Sequence, residues 1–173
     1  CLAKQIKSFT LFVSRDAMNI DGLSEATIEK LIGKGLIREP ADLFKVENYR
    51  KEITEMDGFG EKSFENLKAS VEKARDTTPE RLLYSLGIPG IGAANARLIA
   101  RACGRKWEKM MSLTRDQLLE IDGIGDVMAD AYVSYFSDPK KRKMADDVVS
   151  MVRLDEETEE TENFLQGITF VIT

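Results

Sequence analysis

Four short turns repeat along this chain of 173 residues, and their regular spacing constrains the fold more than any other feature. Each turn has an apolar residue, a glycine two places later and a second apolar residue after the glycine. The leading glycines lie 36, 32 and 33 residues apart, at Gly22, Gly58, Gly90 and Gly123. A fixed period of this length indicates one supersecondary unit that is used several times.

Three of the turns end in a second glycine, at Gly60, Gly92 and Gly125, whereas the first ends in Ser24. The leading glycine permits the positive φ of a tight reversal. The second glycine leaves the N-terminus of the next helix open, where unsatisfied N–H groups and the helix dipole favour an anion. The pattern therefore predicts phosphate binding through the backbone, with no reading of bases. Because Ser24 adds a side chain there, we expect the first turn to be the least secure contact.

An amphipathic helix is predicted after each turn, because apolar residues recur three positions apart on one helical face. The predicted helices span about residues 25–34, 61–74, 93–102 and 126–136. The paired apolar positions are Ile28 with Leu31, Phe64 with Leu67, Ala96 with Ile99, and Ala129 with Tyr132.

Capping residues mark further helix starts. Thr78 stands before Pro79, which favours an N-cap followed by proline at the first helical position, and Thr77 with Glu80 also fits a capping box. Thr114 fits a second capping box. No stretch before residue 160 alternates with a period of two, so residues 1–154 are predicted to be all-α.

The last residues differ in character from the rest. Residues 155–162 hold six acidic side chains and no basic one, which indicates a solvated linker. Residues 167–173 are β-branched and aromatic, which predicts a short strand. A lone strand is not stable, so we expect a truncated β segment at the C-terminus. The chain also begins with Cys1 rather than methionine, and we expect it to be part of a longer protein.

Composition excludes several kinds of chemistry. The chain has no histidine, which excludes nucleophile activation by histidine and histidine metal ligands. Its two cysteines, Cys1 and Cys103, do not suggest a disulfide framework.

No apolar run is long enough to span a membrane and no signal peptide is evident, so a cytoplasmic protein is predicted. The net charge of −5 comes from residues 155–162, because residues 1–154 carry 25 basic and 24 acidic side chains. This balance neither supports nor excludes a DNA partner.

Basic side chains near the turns are candidates for added attraction to DNA, among them Lys30 and Lys34 after the first turn and Arg101 after the third. Lys62 lies in the first turn of its predicted helix, and Arg97 lies along the helix after Gly92. Their alternative interpretation is a solvated helix face. The acids that precede three of the glycines are interpreted as turn chemistry rather than catalysis. The complete set of predicted DNA-binding residues is Gly22, Gly58, Gly60, Lys62, Gly90, Gly92, Arg97, Gly123 and Gly125.

These repeats resemble helix-hairpin-helix motifs, and the whole arrangement resembles the C-terminal half of NAD-dependent bacterial DNA ligases. Residues 12–18, 41–44 and 82–88 strengthen the match. The resemblance implies an all-α fold of four tandem helix-hairpin-helix motifs over residues 10–153, preceded by the end of a zinc-finger segment over residues 1–9. It also implies an acidic linker over residues 154–163 and the first strand of a truncated BRCT domain over residues 164–173.

The resemblance also implies a function for the parent protein. A ligase of this family seals nicks and uses NAD, magnesium and a structural zinc ion, for which Cys1 would be the last of four cysteine ligands. The lysine of the family's K-x-D-G motif is missing, since Asn19, Glu55 and Glu120 stand in its place in the three x-x-D-G stretches. We therefore expect this chain alone to bind nicked duplex DNA, to bind no cofactor or zinc, and to be non-catalytic. Adenylation, OB and zinc-finger domains would lie upstream and the BRCT domain downstream.

Two alternatives remain open on the sequence. The chain could be the helix-hairpin-helix region of another DNA repair or recombination protein. It could also be a sterile-alpha-motif-like module that binds proteins through similar helix packing and has no affinity for DNA.

Overall fold

The computed structural model describes residues 1–157, which form ten α-helices, one 3-10 helix and two short strands. In chain order these elements are α1 (Leu2–Val13), α2 (Glu25–Gly33), the 3-10 helix (Pro40–Tyr49), α3 (Arg50–Thr54), α4 (Glu61–Ala74), β1 (Asp76–Thr77), α5 (Pro79–Ser85), α6 (Ala93–Ala102), α7 (Trp107–Met111), α8 (Arg115–Leu119), α9 (Asp126–Ser137), α10 (Pro139–Met151) and β2 (Arg153–Leu154). Among these described residues, no helix is long and apolar enough to cross a membrane.

Four pairs of helices are joined by the four glycine turns. The helices of each pair pack against each other: α1 with α2, α3 with α4, α5 with α6, and α8 with α9. Helix α10 packs against α9 and the 3-10 helix. The predicted all-α fold of four tandem units is therefore confirmed, and the second helix of each unit ends within one residue of its predicted boundary.

The core lies between these helices. All eight apolar residues that define the predicted inward faces are completely buried, among them Phe64 and Tyr132. The Tyr132 hydroxyl donates a hydrogen bond to the carbonyl oxygen of Met110 over 2.7 Å, and burial raises the pKa of this phenol. Cys103 is buried, while Cys1 is exposed at the start of α1.

Side-chain caps confirm most of the predicted helix starts. The Thr78 hydroxyl accepts from the backbone N–H of Arg81, and Thr114 forms a full capping box with Gln117. The alternative capping box of Thr77 with Glu80 is wrong. Thr77 is buried in β1, and its hydroxyl lies 3.9 Å from the sulfur of Met18, so it is not available to cap α5.

Two short strands correct the prediction that residues 1–154 contain no β structure. Strand β1 pairs with β2 in parallel, with Asp76 opposite Arg153. The ladder continues where the N–H of Asp155 donates to the carbonyl oxygen of Thr77 over 2.8 Å. Pairs of two residues have no detectable alternation, so sequence reasoning missed them. The strand predicted over residues 167–173 lies outside the described residues.

Candidate nucleic-acid interface

The leading glycine of every hairpin has a backbone conformation that favours glycine. The φ values are 93° at Gly22, 77° at Gly58, 80° at Gly90 and 98° at Gly123. In the third hairpin, the N–H of Ile91 donates to the carbonyl oxygen of Ile88 over 3.0 Å and closes the turn. These positions therefore require glycine for the reversal itself.

The second glycines behave differently. Gly60, Gly92 and Gly125 are the N-cap residues of α4, α6 and α9, with φ of −107°, −84° and −96°. This is extended backbone that any residue adopts, and a Cβ atom built at these positions meets nothing within 4 Å. Within the described residues, no side chain caps these three helices. Neither conformation nor packing demands glycine here, and the helix N-termini stand open.

Ser24 makes the first hairpin an exception. It is the N-cap residue of α2, and its hydroxyl accepts from the backbone N–H of Thr27 over 3.1 Å. The corresponding N–H groups of α4, α6 and α9 receive no such cap from the part of the chain that the structure describes. The first hairpin thus satisfies internally a donor that the other hairpins leave open.

The hairpins pack in two reciprocal pairs. A Cβ at Gly22 would lie 3.8 Å from Leu67 of α4, while Lys30 of α2 donates to the carbonyl oxygen of Asp57 over 3.4 Å. The third and fourth hairpins repeat this exchange. A Cβ at Gly90 would lie 3.2 Å from Met128 of α9, and one at Gly123 would lie 3.4 Å from Leu98 of α6.

The first pair of hairpins opens onto a shared cleft. Gly22 and Gly58 both line it, together with Ser24 and Phe59. The structure therefore brings together the predicted residues of the first and second hairpins. Lys62 is exposed in the first turn of α4, beside this pair.

The local charge differs between hairpins. The third is followed by the uncharged residues 93–95, whereas the second is followed by Glu61 and the fourth by Asp126. Glu61 is paired with Arg50 and Asp126 with Arg115, each over 2.7 Å. An acidic group in the first turn opposes a bound phosphate. Among the four helices that follow the hairpins, α6 is the one with no acidic side chain in its first turn.

Asn95 supports the third hairpin, and sequence reasoning missed it. Its side-chain amide donates to the carbonyl oxygen of Gly90 over 3.3 Å, so the first turn of α6 braces the turn that precedes it. The signal was weak, because a single asparagine near a helix start has many uses. Arg97 is exposed two residues further along α6.

A cavity of about 480 Å³ lies beside the third hairpin and is lined by Ala93, Arg97, Arg105 and Asp155, among others. Arg105 is 6% exposed and has a φ of 58°. One of its guanidinium nitrogens donates to Glu80 over 2.9 Å, and another donates to the carbonyl oxygen of Glu157. Burial raises the pKa of Glu80, but hydrogen bonds from Thr78 and Arg105 and the arginine charge outweigh it, so the pKa lies below its usual range.

The first residues of the acidic stretch contact the helical body. A carboxylate oxygen of Glu156 accepts from the backbone N–H of Trp107 over 2.8 Å. Residues 155–157, at the start of the stretch predicted to be a solvated linker, thus contact β1, Arg105 and Trp107, while Asp155 and Glu157 remain exposed. Residues 158–162 lie outside the described part of the chain.

The fold and the four glycine hairpins define a tandem helix-hairpin-helix protein. Sequence comparison agrees, since residues 81–145 match the family described as "Helix-hairpin-helix motif". Residues 14–73 match the family described as "SAM-like Helix-hairpin-helix tandem".

Proteins of similar sequence show more closely which kind of helix-hairpin-helix protein this chain resembles. The chain is 53% identical over its whole length to a protein named DNA ligase from Ruminiclostridium cellulolyticum and 54% identical to one from Lachnoclostridium phytofermentans. A DNA ligase from Bacillus licheniformis is 40% identical over 86% of the chain. The chain spans about a quarter of the length of the first two, 26% and 27%. It is thus similar to one helix-hairpin-helix segment of DNA ligases, which confirms the resemblance seen in its sequence.

Proposed function

We propose that this chain binds nicked duplex DNA without sequence preference, as the helix-hairpin-helix part of an NAD-dependent DNA ligase. One observation carries the proposal. Gly60, Gly92 and Gly125 keep three helix N-termini open although neither φ nor packing requires glycine. Serine or aspartate would cap these helices better, so the open N-H groups have a use other than stability.

A phosphate oxygen suits these sites. It accepts hydrogen bonds from several backbone N–H groups at once and is favoured by the helix dipole. One such contact is weak, but hairpins fixed on one body act together through their high effective concentration. Because neutral N–H groups displace fewer counterions than lysine or arginine, the salt dependence of binding is expected to be shallow.

The finer assignments follow the ligase relatives. The parent protein would use NAD and magnesium in upstream adenylation and OB domains, since a K-x-D-G motif is missing from this chain. Cys1 would complete a four-cysteine zinc site in the parent, where thiolates suit a tetrahedral structural metal. Residues 164–173 would begin a BRCT domain. The chain alone would show no turnover in a nick-sealing assay with NAD and magnesium.

Fluorescence anisotropy with a labelled nicked duplex tests the proposal on the whole chain. Gly92→Val places a side chain in the open space at the N-terminus of α6. We expect the affinity for the nicked duplex to fall about tenfold, because one charge-assisted hydrogen bond from a backbone N–H to a phosphate is lost. Gly33→Val is the matched control, because a Cβ there also meets nothing within 4 Å and the residue lies at the opposite, C-terminal end of α2.

The control is expected to bind like the unaltered chain, and two unrelated duplex sequences are expected to bind equally well. Strong discrimination between the two sequences would contradict the proposal. Equal affinity of Gly92→Val and Gly33→Val would also contradict it. An absence of DNA binding in the unaltered chain would favour a protein-binding module.

A further inference from the structure

The two pairs of hairpins belong to two halves of one folded body. We call residues 2–75 the first half, which carries the first and second hairpins, and residues 79–151 the second half, which carries the third and fourth. The halves meet where α1 packs against α5 and where α10 packs against the 3-10 helix. Because duplex DNA is stiff over a few helical turns, both pairs can contact one duplex only if the halves keep one relative orientation.

Arg81 connects the second half to the loop that leads into the first hairpin. It lies in the first turn of α5, and its Nη1 donates to the carbonyl oxygens of Arg15 and Ala17 over 2.9 and 3.0 Å. Ala17 is completely buried, and only two residues separate it from Ile20, where the first hairpin begins. The chain segment before the first hairpin is therefore held by a side chain of the other half.

Arg75 forms a second link between the halves. It is the C-cap residue of α4, and its side chain is 21% exposed. Its Nη2 donates to the carbonyl oxygen of Phe44 in the 3-10 helix over 3.0 Å, and its Nη1 donates to that of Met151 at the end of α10 over 2.7 Å. The guanidinium also lies over the Phe44 ring, 5.2 Å from its centroid. One side chain thus joins an element of the first half to the last helix of the second.

These hydrogen bonds add direction to a contact that is otherwise apolar. One hydrophobic cluster includes buried residues of both halves, among them Phe12 and Leu82, and it holds the halves together. Hydrophobic attraction is non-directional, whereas a planar guanidinium presents its donors in a fixed geometry. The loss of one arginine is therefore expected to leave the halves attached and folded but less fixed in their relative orientation.

We propose that Arg75 and Arg81 are positioning residues for DNA binding, which hold the two pairs of hairpins in the orientation that lets both contact one duplex. The proposal rests on the function proposed above and adds residues that act on binding through the hairpins. The physical reason is effective concentration. Once one pair has bound, a fixed orientation keeps the other pair beside its own phosphates.

Methionine variants of the full chain test this role. Arg81→Met removes the guanidinium and keeps an unbranched stem, and Arg75→Met does the same at the other link. Arg38→Met is the matched control, because Arg38 is exposed between α2 and the 3-10 helix and the charge removed is the same. Affinity for a nicked duplex is measured by fluorescence anisotropy, with each change alone and combined with Gly92→Val. Residual dipolar couplings of backbone N–H groups, measured without DNA, report the relative orientation of the halves.

We expect Arg81→Met and Arg75→Met to bind the duplex about fivefold more weakly, and Arg38→Met to change little. In the Gly92→Val background the loss is expected to shrink to about twofold, because a weakened second pair gains less from being positioned. One alignment tensor should describe the couplings of both halves in the unaltered chain and in Arg38→Met. In the two positioning variants, the halves should require different tensors.

Unchanged affinity in the positioning variants would overturn the proposal, and an equal loss in Arg38→Met would reduce the effect to charge. A loss that is undiminished in the Gly92→Val background would assign the arginines a direct contact with DNA instead. A single tensor for both halves in the positioning variants would show that the orientation does not depend on these side chains. If the unaltered chain bound no duplex, the proposed function would fail and this proposal with it, whereas the other outcomes reject the proposal alone.

Discussion

Arg105 and Glu80 form a buried ion pair that links the third motif to the C-terminal end of the described chain. The guanidinium donates to the carboxylate over 2.9 Å, and the two side chains are 7% and 14% exposed. The same guanidinium donates to the carbonyl oxygen of Glu157. One buried arginine therefore fixes both helix α5 and the start of the acidic segment.

Removing one partner of this pair is expected to be costly. Glu80→Ala leaves the Arg105 charge buried without its carboxylate, which costs about 3 kcal/mol of unfolding free energy. Glu72→Ala is the control, because Glu72 pairs with Arg75 over 2.8 Å but is 58% exposed, and exposed pairs contribute at most about 1 kcal/mol. Urea unfolding monitored by circular dichroism measures both. Equal losses would show that burial of the pair contributes nothing.

The same pair predicts a dependence of stability on pH. The pKa of Glu80 is lower in the folded protein than its usual value, so folding favours the carboxylate. The resulting stabilisation is present above the unfolded pKa, about 4.3, and is lost as the pH falls through the folded value. Between pH 7 and pH 3, the unfolding free energy of the unaltered chain should fall more than that of Glu80→Gln. Parallel curves for the two proteins would assign the acid sensitivity to other carboxylates.

The two glycines of the third hairpin are expected to respond differently to alanine. Gly90→Ala forces a side chain into a φ of 80° and places its Cβ 3.2 Å from Met128, so we expect a loss of about 1–2 kcal/mol. Gly92→Ala has open space and extended backbone, and its stability should change by less than about 0.5 kcal/mol. Thermal unfolding of both variants measures the difference. A large loss in Gly92→Ala would mean that this glycine serves the fold.

Exchanging glycine and serine between N-cap positions should separate stability from DNA binding. Gly92→Ser adds a cap to α6 and should raise the unfolding free energy by a few tenths of a kcal/mol while weakening DNA binding. Ser24→Gly removes the cap that accepts from Thr27 and should do the opposite. Thermal unfolding and DNA titration are run on both variants. Affinity that rises and falls together with stability would contradict the role of open N–H groups.

Local signals made part of this structure predictable. The turn with Gly58 and Gly60 predicts the start of α4, and the spacing of the apolar residues after it predicts the face that is buried. Both features are encoded within a few residues of the chain. The unequal capping of the first hairpin also follows from one residue, Ser24. The same reasoning explains why the helix boundaries were predicted well.

The features that sequence reasoning missed depend on distant partners. Arginine normally lies on the surface, and the sequence around Arg105 does not predict that its partners are Glu80 and the carbonyl oxygen of Glu157. The reciprocal packing of hairpins, such as Gly90 against Met128, needs the relative placement of two motifs. The contact between the Glu156 carboxylate and the N–H of Trp107 joins residues 49 positions apart, so no local pattern predicts it.

The parallel contact between β1 and β2 also bears on the order of folding. It joins residues 76 and 153, so the chain must close a loop of nearly eighty residues before this contact forms. Closing such a loop costs more conformational entropy than closing the short turns of the helical hairpins. Non-local contacts of this kind therefore form slowly. The four motifs are therefore expected to assemble first, and the segment of residues 153–157 to dock last. In hydrogen exchange, its N–H groups should be the first to lose protection when the native protein opens locally.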